Sequence, residues 1–363
     1  MQNSPIGKVF VASAILVVLI GLVLHFTRGR PEMPVPATSP APDSVASGRP
    51  PRPDIPVPEA EASEPKDADP AGLAKLPREK VEEYLTRNHR SAAGLLAAFH
   101  ALDDTNYLNE AAANFPNDPQ LQWTILARDA FPEARRRWLD RFKASSPDNS
   151  LPNYLSAADY LKKGQSDAAL KELLEAAGKP QFKEYAMDAR LDEEELSRVA
   201  GRTALESIHV AGWAADHLPE LATFKSLANG INDLRREYLA AGDSVSANNL
   251  TQMQLTLASR LTAGEGGKLV INQLVGLAVE AIALKQLDSN TAYDFLGGKT
   301  PTEMSEELKQ QKQSFRESSK SFQATLGNLT EAEMVAYHDR MKVYGEVEAM
   351  RWLQQRFGTN SPP

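Results

Sequence analysis

Beyond residue 71, apolar residues fall on a helix period almost everywhere, and this spacing excludes a sheet-based fold. Leu95, Leu96, Phe99 and Leu102 lie at offsets of 0, 1, 4 and 7, which places them on one face of a helix. Tyr107, Leu108, Ala111, Ala112 and Phe115 repeat that stripe, as do Trp138, Leu139 and Phe142, and then Ala169, Leu170, Leu173, Leu174 and Ala177. Turn-forming residues separate the stripes, and alternating runs bounded by turns are missing. The expected class is all-α.

The turn signals recur. Phe115-Pro116-Asn117-Asp118 is followed 31 residues later by Ser146-Pro147-Asp148-Asn149, and Pro180 lies 33 residues beyond Pro147. Two short helices per 31–33 residues is the signature of a helix-pair solenoid. Residues 153–180 resemble a tetratricopeptide repeat: Ala157 and Tyr160 match its small-then-aromatic pair, Gly164 its turn, Ala169, Leu173 and Ala176 its second-helix packing positions, and Pro180 its close. The resemblance spans roughly residues 90–180. The usual early aromatic falls at Asn153, with Tyr154 one place off; unit 119–147 has Asp129-Ala130-Phe131-Pro132 at its turn, and unit 91–118 lacks the turn glycine. Tyr238 to Gly242, followed by Ala247, hints at one more copy. The resemblance implies a concave surface built from the first helix of each pair, suited to a protein or peptide partner, with Tyr154 and Lys162 lining it and Arg128 added from the preceding unit.

The chain divides into parts of different chemistry. Val9 to Phe26 is an 18-residue apolar stretch, about 27 Å long as a helix and able to span a bilayer core of roughly 30 Å. It lacks a small-x-small cleavage site, and with no cysteine it is no lipoprotein signal. An uncleaved membrane anchor over residues 1–30 is therefore expected, in contact with lipid through residues 9–26. Lys8 against Arg28 and Arg30 leaves its orientation nearly balanced; a C-terminal domain on the outer, periplasmic side of a bacterial inner membrane is the expectation. Residues 31–70 hold 12 of the 24 prolines, eight acids and three bases. Such a segment cannot bury enough surface to offset its ordering entropy, so 31–72 is expected to be a disordered, acidic linker, at most about 120 Å long in polyproline geometry. The Pro50-Pro51-Arg52-Pro53 spacing is read as spacer, although it could engage an SH3-like partner. The helical repeats then occupy 73–180, and 181–363 forms a less regular helical region packed on them.

Within that last region, Thr300-Pro301-Thr302-Glu303 and Thr330-Glu331-Ala332-Glu333 read as helix starts with capping boxes. The first opens a polar helix to about Leu326 and the second a last helix ending near Gly358. Residues 269–287 are apolar on nearly every side, but Asn272, Gln273, Glu280 and Lys285 are costly in lipid, so a buried helix is expected there. Leu308, Phe315, Phe322 and Leu329, seven apart, are read as core.

The chemistry available is narrow. The 363-residue chain has no cysteine, six histidines and a net charge of -8. This removes thiolate metal sites and cysteine nucleophiles and argues against nucleic-acid binding. Gly297-Gly298-Lys299-Thr300 lacks the first glycine of a phosphate loop. Gly264-Glu265-Gly266-Gly267-Lys268 reads as a loop between helices. Asp216-His217, with His209 eight residues earlier, reads as structural, Asp192 to Glu195 as a helix first turn, and Arg135-Arg136-Arg137 as a solvated face. No catalytic, cofactor or metal residue is assigned. The expected function is a membrane-anchored, non-enzymatic interaction scaffold. An envelope enzyme or regulatory subunit with a cleft between the two helical halves, and a homo-oligomeric envelope spacer, stay open as alternatives.

Overall fold

A computed structural model describes residues 75–215 and 219–357, apart from the side chains of 212–215 and 219–221. The apolar stretch 9–26, the linker 31–72, and Asp216 and His217 lie outside the described residues. Among those described, the chain is all-helical, with fifteen α-helices and no strand.

The first helix, α1 (Arg78–Arg87), leads into three helix pairs: α2 (Ala92–Leu102) with α3 (Thr105–Asn114), α4 (Pro119–Arg128) with α5 (Arg135–Ser145), and α6 (Leu151–Lys162) with α7 (Ser166–Gly178). The members of each pair pack on each other, and α2 touches α4. Side-chain caps set the starts: Ser91 Oγ accepts from the Gly94 N–H at 3.2 Å, and Asp118 Oδ1 from the Leu121 N–H at 2.8 Å, ahead of Pro119. The missing turn glycines are replaced by aspartates. Asp103 and Asp129 take left-handed conformations, φ 51° and 49°, at the ends of α2 and α4, where Gly164, φ 69°, serves the third pair; Asp tolerates that region better than most side chains.

The recurring turn signals bond to one another. Ser150 N–H donates to Gln181 O at 2.9 Å and Gln181 N–H to Asp148 O at 3.1 Å, while Asn149 exchanges bonds with Lys183 at 2.8 and 2.9 Å. Asn153, the departure from the aromatic position, is fully buried and donates to Glu172 at 2.8 Å; Lys143 reaches the same carboxylate at 2.5 Å. A buried polar bridge thus ties α5, α6 and α7 where an aromatic would have packed.

Five helices follow around this array: α8 (Ala186–Val199), α9 (Ala204–Ala215), α10 (Pro219–Ala240), α11 (Ser244–Thr262) and α12 (Val270–Leu284). Helix α8 packs on α2, and α10 packs across α6 and α4. The first-helix faces are therefore covered by the chain's own later helices. Phe224, Leu227, Ala228 and Ile231 of α10 are fully buried. Gly230 permits this close approach: a Cβ there would lie 2.8 Å from Leu161 Cδ1. One hydrophobic cluster runs from Leu76 to Val279, straight across residue 180.

Helix α12 is the buried apolar helix expected over 269–287, and no helix among the described residues is long and apolar enough to cross a membrane. The last helices among the described residues are α13 (Pro301–Leu326), α14 (Glu331–Tyr344) and α15 (Glu346–Phe357). Both capping boxes form. The expected single last helix is instead two, because Gly345 adopts φ 87° where a Cβ would meet Lys268 at 2.9 Å. Phe322 and Leu329 join one small core, Leu308 another, and Phe315 packs against both.

The acidic run also corrects the sequence reading. Helix α8 begins at Ala186, so Asp192 to Glu195 sit mid-helix, with Glu193 and Glu194 only 3% and 6% exposed. Burial of Glu194 is tolerable because cations meet it: Lys342 of α14 lies 2.6 Å away, with Arg198 at 3.7 Å.

Candidate functional site

A groove of about 750 Å³ remains where α10 leaves α4 and α6 incompletely covered. Helix periodicity builds its walls. Leu155, Ala158, Asp159 and Lys162 follow one another along α6; Ser226, Asn229, Gly230 and Asp233 do so along α10; Trp123, Leu126 and Ala127 complete the α4 side. Leu126, Leu155 and Leu227 are buried and give the groove an apolar floor.

Its charges are unequally committed. Asp159, 8% exposed, meets Lys163 at 2.9 Å, Arg136 at 3.5 Å and Arg135 at 3.8 Å. Asp129 is held by Arg135 at 3.1 Å, and Asp233 pairs with Arg236. Every groove carboxylate therefore has a cation, and Arg135 is shared between two of them. Arg136 also donates to Ser156 at 2.6 Å and lies 4.5 Å from the Tyr160 ring centroid, so Arg135 and Arg136 are structural ties, whereas Arg137 is exposed as expected of a solvated face. The Lys162 ammonium is exposed and makes no ion pair among the described residues. Exposed Ser226 and Asn229 line the same groove, and their side chains make no hydrogen bond among the described residues.

Of the three residues expected to contact a partner, Lys162 alone lines this groove. Arg128 is exposed at the end of α4, 3.4 Å from His100 Nδ1, and outside the lining. Tyr154 is a correction: it is 1% exposed and turned into the core, its ring 6.4 Å from Phe182, which lies 5.9 Å from Phe224. Its face of α6 is covered by the chain itself and is closed to a partner. Leu155 and Ala158 share the Lys162 face and were legible from spacing. Ser226 and Asn229 were not, because spacing does not say which later helix covers an earlier one.

A second cleft, of about 520 Å³, lies between α12, α13 and α15. Glu280 is the acid lining it, its carboxyl raised by burial and by Glu307. Among the described residues no group of three or more His, Asp or Glu could hold a metal ion. Gly297 and Gly298 form a tight turn closed by the Gly298 N–H to Tyr293 O bond at 3.1 Å, and Thr300 is engaged as the helix cap. The Gly266 and Gly267 carbonyls accept from Asn272 at 2.9 Å and Gln273 at 2.7 Å.

A polar knot joins the segment after the helix pairs to α12. Glu184 is bonded through one oxygen to Asn272, while its Oε2 is buried without a hydrogen-bond partner. Burial pushes this carboxyl up to about 7, against the Asn272 bond and the Arg190 charge. His338, which feels the same Arg190 charge, is pushed down to about 3 by burial and by Arg190, Lys342 and His209.

Comparison with family models, with curated proteins and with solved structures finds no match for this chain.

Two outcomes follow. Tyr154→Ala should cost about 3–5 kcal/mol of stability by opening a cavity, while Tyr154→Phe, which deletes a buried hydroxyl lacking a partner, should be neutral or stabilising; chemical denaturation measures both. A carboxyl raised in the folded state holds its proton longer than in the unfolded chain, so its contribution declines as pH rises from the ordinary 4.5 to about 7. His338 works oppositely, its cost appearing as pH falls from 6.5 towards 3. Glu184→Gln should therefore gain on the parent by about 1–3 kcal/mol between roughly pH 5 and pH 8, as denaturation at each pH would reveal.

Proposed function

We propose that the protein is a membrane-anchored interaction scaffold, its helical body a tetratricopeptide-like solenoid carried on a proline-rich tether. Three successive helix pairs, and the burial of Ala157, Ala169, Leu173 and Ala176 at the matching positions, support the repeat reading. The apolar stretch 9–26 and the linker 31–72 support anchoring and reach, with the helical body on the periplasmic side of a bacterial inner membrane.

The observation that carries the function is the groove's chemistry: an apolar floor, acids already neutralised within the chain, and an unpaired ammonium at the rim. Such a surface is complementary to an extended segment with apolar side chains and a carboxylate, because it offers burial and one uncompensated positive charge. The partner is thus a protein segment, seated on what α10 leaves open.

In-cell cross-linking of the tagged full-length chain tests this. Lys162→Glu places a like charge opposite the partner's acid and should reduce specific capture about tenfold, with helicity unchanged because Lys162 is exposed. Undiminished capture by a folded Lys162→Glu chain would remove the groove assignment.

A further inference from the structure

Building on that groove reading, we propose that the groove is occupied by the chain's own proline-rich acidic segment, residues 53–61, so that any partner must displace it. The segment reads Pro53-Asp54-Ile55-Pro56-Val57-Pro58-Glu59-Ala60-Glu61 and contains no base.

Charge makes the first argument. Asp129, Asp159 and Asp233 are each held by cations of the body, so the groove's uncommitted charge is the Lys162 ammonium. Residues 53–61 carry three acids with no internal counter-charge.

The second argument is shape and hydrogen bonding. In polyproline geometry Ile55 to Glu59 spans about 12 Å, close to the roughly 10 Å that helical rise puts between Leu155 and Lys162 on α6. Glu59 can then stand at Lys162 while Ile55 and Val57 lie over the leucine floor. Proline lacks an N–H, so such a segment presents chiefly carbonyl acceptors. The rim offers donors in the Asn229 amide and the Ser226 hydroxyl. A segment already biased to this geometry also loses little entropy on docking.

Reach is the third. Thirteen residues separate Glu61 from Lys75, where the described body begins with Leu76 already buried in its core, and can extend about 40 Å. Helix α1 packs on α2 and α2 on α4, so the groove is two interhelical steps of about 10 Å away. Arg90 fixes this end of the body by pairing with Glu82 and Glu110, each at 2.6 Å. A tether this short holds the segment near the groove at an effective concentration on the order of millimolar, so a weak contact suffices to fill it.

A zero-length carbodiimide, which joins a carboxylate to an ammonium only in contact, tests this on the full-length chain in detergent micelles. Peptide mapping by mass spectrometry should find Lys162 joined to Glu59 or Glu61 about tenfold more often than Lys171, an exposed lysine of α7 with no ion pair among the described residues, is joined to the same acids, since both draw on the same tethered supply. In a mixture of isotopically heavy and light chains the links should stay within one isotope, and Glu59→Gln with Glu61→Gln should remove them. Lys162 coupling no more than Lys171, or coupling solely between heavy and light chains, overturns self-occupancy. If the links are missing while capture in cells still depends on Lys162, the self-occupancy is wrong and the groove reading stands; if both are missing, both fall.

Discussion

The seating of α10 across α4 and α6 governs the architecture. A helix-pair array of this length leaves one apolar face along its first helices, and that face must be covered by something. Here the chain covers it itself: Tyr154, Phe182 and Phe224 form an aromatic series from α6 through the connecting segment to α10, and Gly230 lets Leu161 approach the α10 backbone. Burial of large aromatics contributes several kcal/mol each relative to alanine. The three helix pairs and the following helices thus share one core rather than two.

That covering also determines where interaction chemistry can exist. Where α10 is seated, the first-helix face is closed and Tyr154 serves stability. Where it stops short, the same helices expose Lys162 above a leucine floor. Within the lining the carboxylates are internally compensated, so the local field at the rim is set by one cation. In a chain whose overall charge is -8, this cation above an apolar floor stands out in sign from the chain as a whole.

Much of the fold was legible because it rests on local rules. The stripes, the recurring proline turns and the two capping boxes each encode their own helix, and the structure places helices accordingly. What stayed hidden depends on neighbours distant in sequence. Asp192 to Glu195 looks like a first turn until Lys342, some 150 residues later, is seen to meet Glu194. The break at Gly345 goes with its φ of 87°, at a position where Lys268 leaves no room for a side chain. The inward turn of Tyr154 required knowing that α10 returns over α6, and no periodicity within 153–180 carries that information. Lys162 was accessible to sequence reasoning because it ends the exposed edge of its own helix.

Native-state hydrogen exchange across α4, α6 and α10 tests the central claim most directly. If α10 completes the core of the helix pairs, its amides and those of α6 open together, with matching free energies and the same denaturant dependence. Exchange of α10 at the rate of a free helix, while α4 and α6 keep their protection, would contradict the account and return the first-helix face to an outside partner.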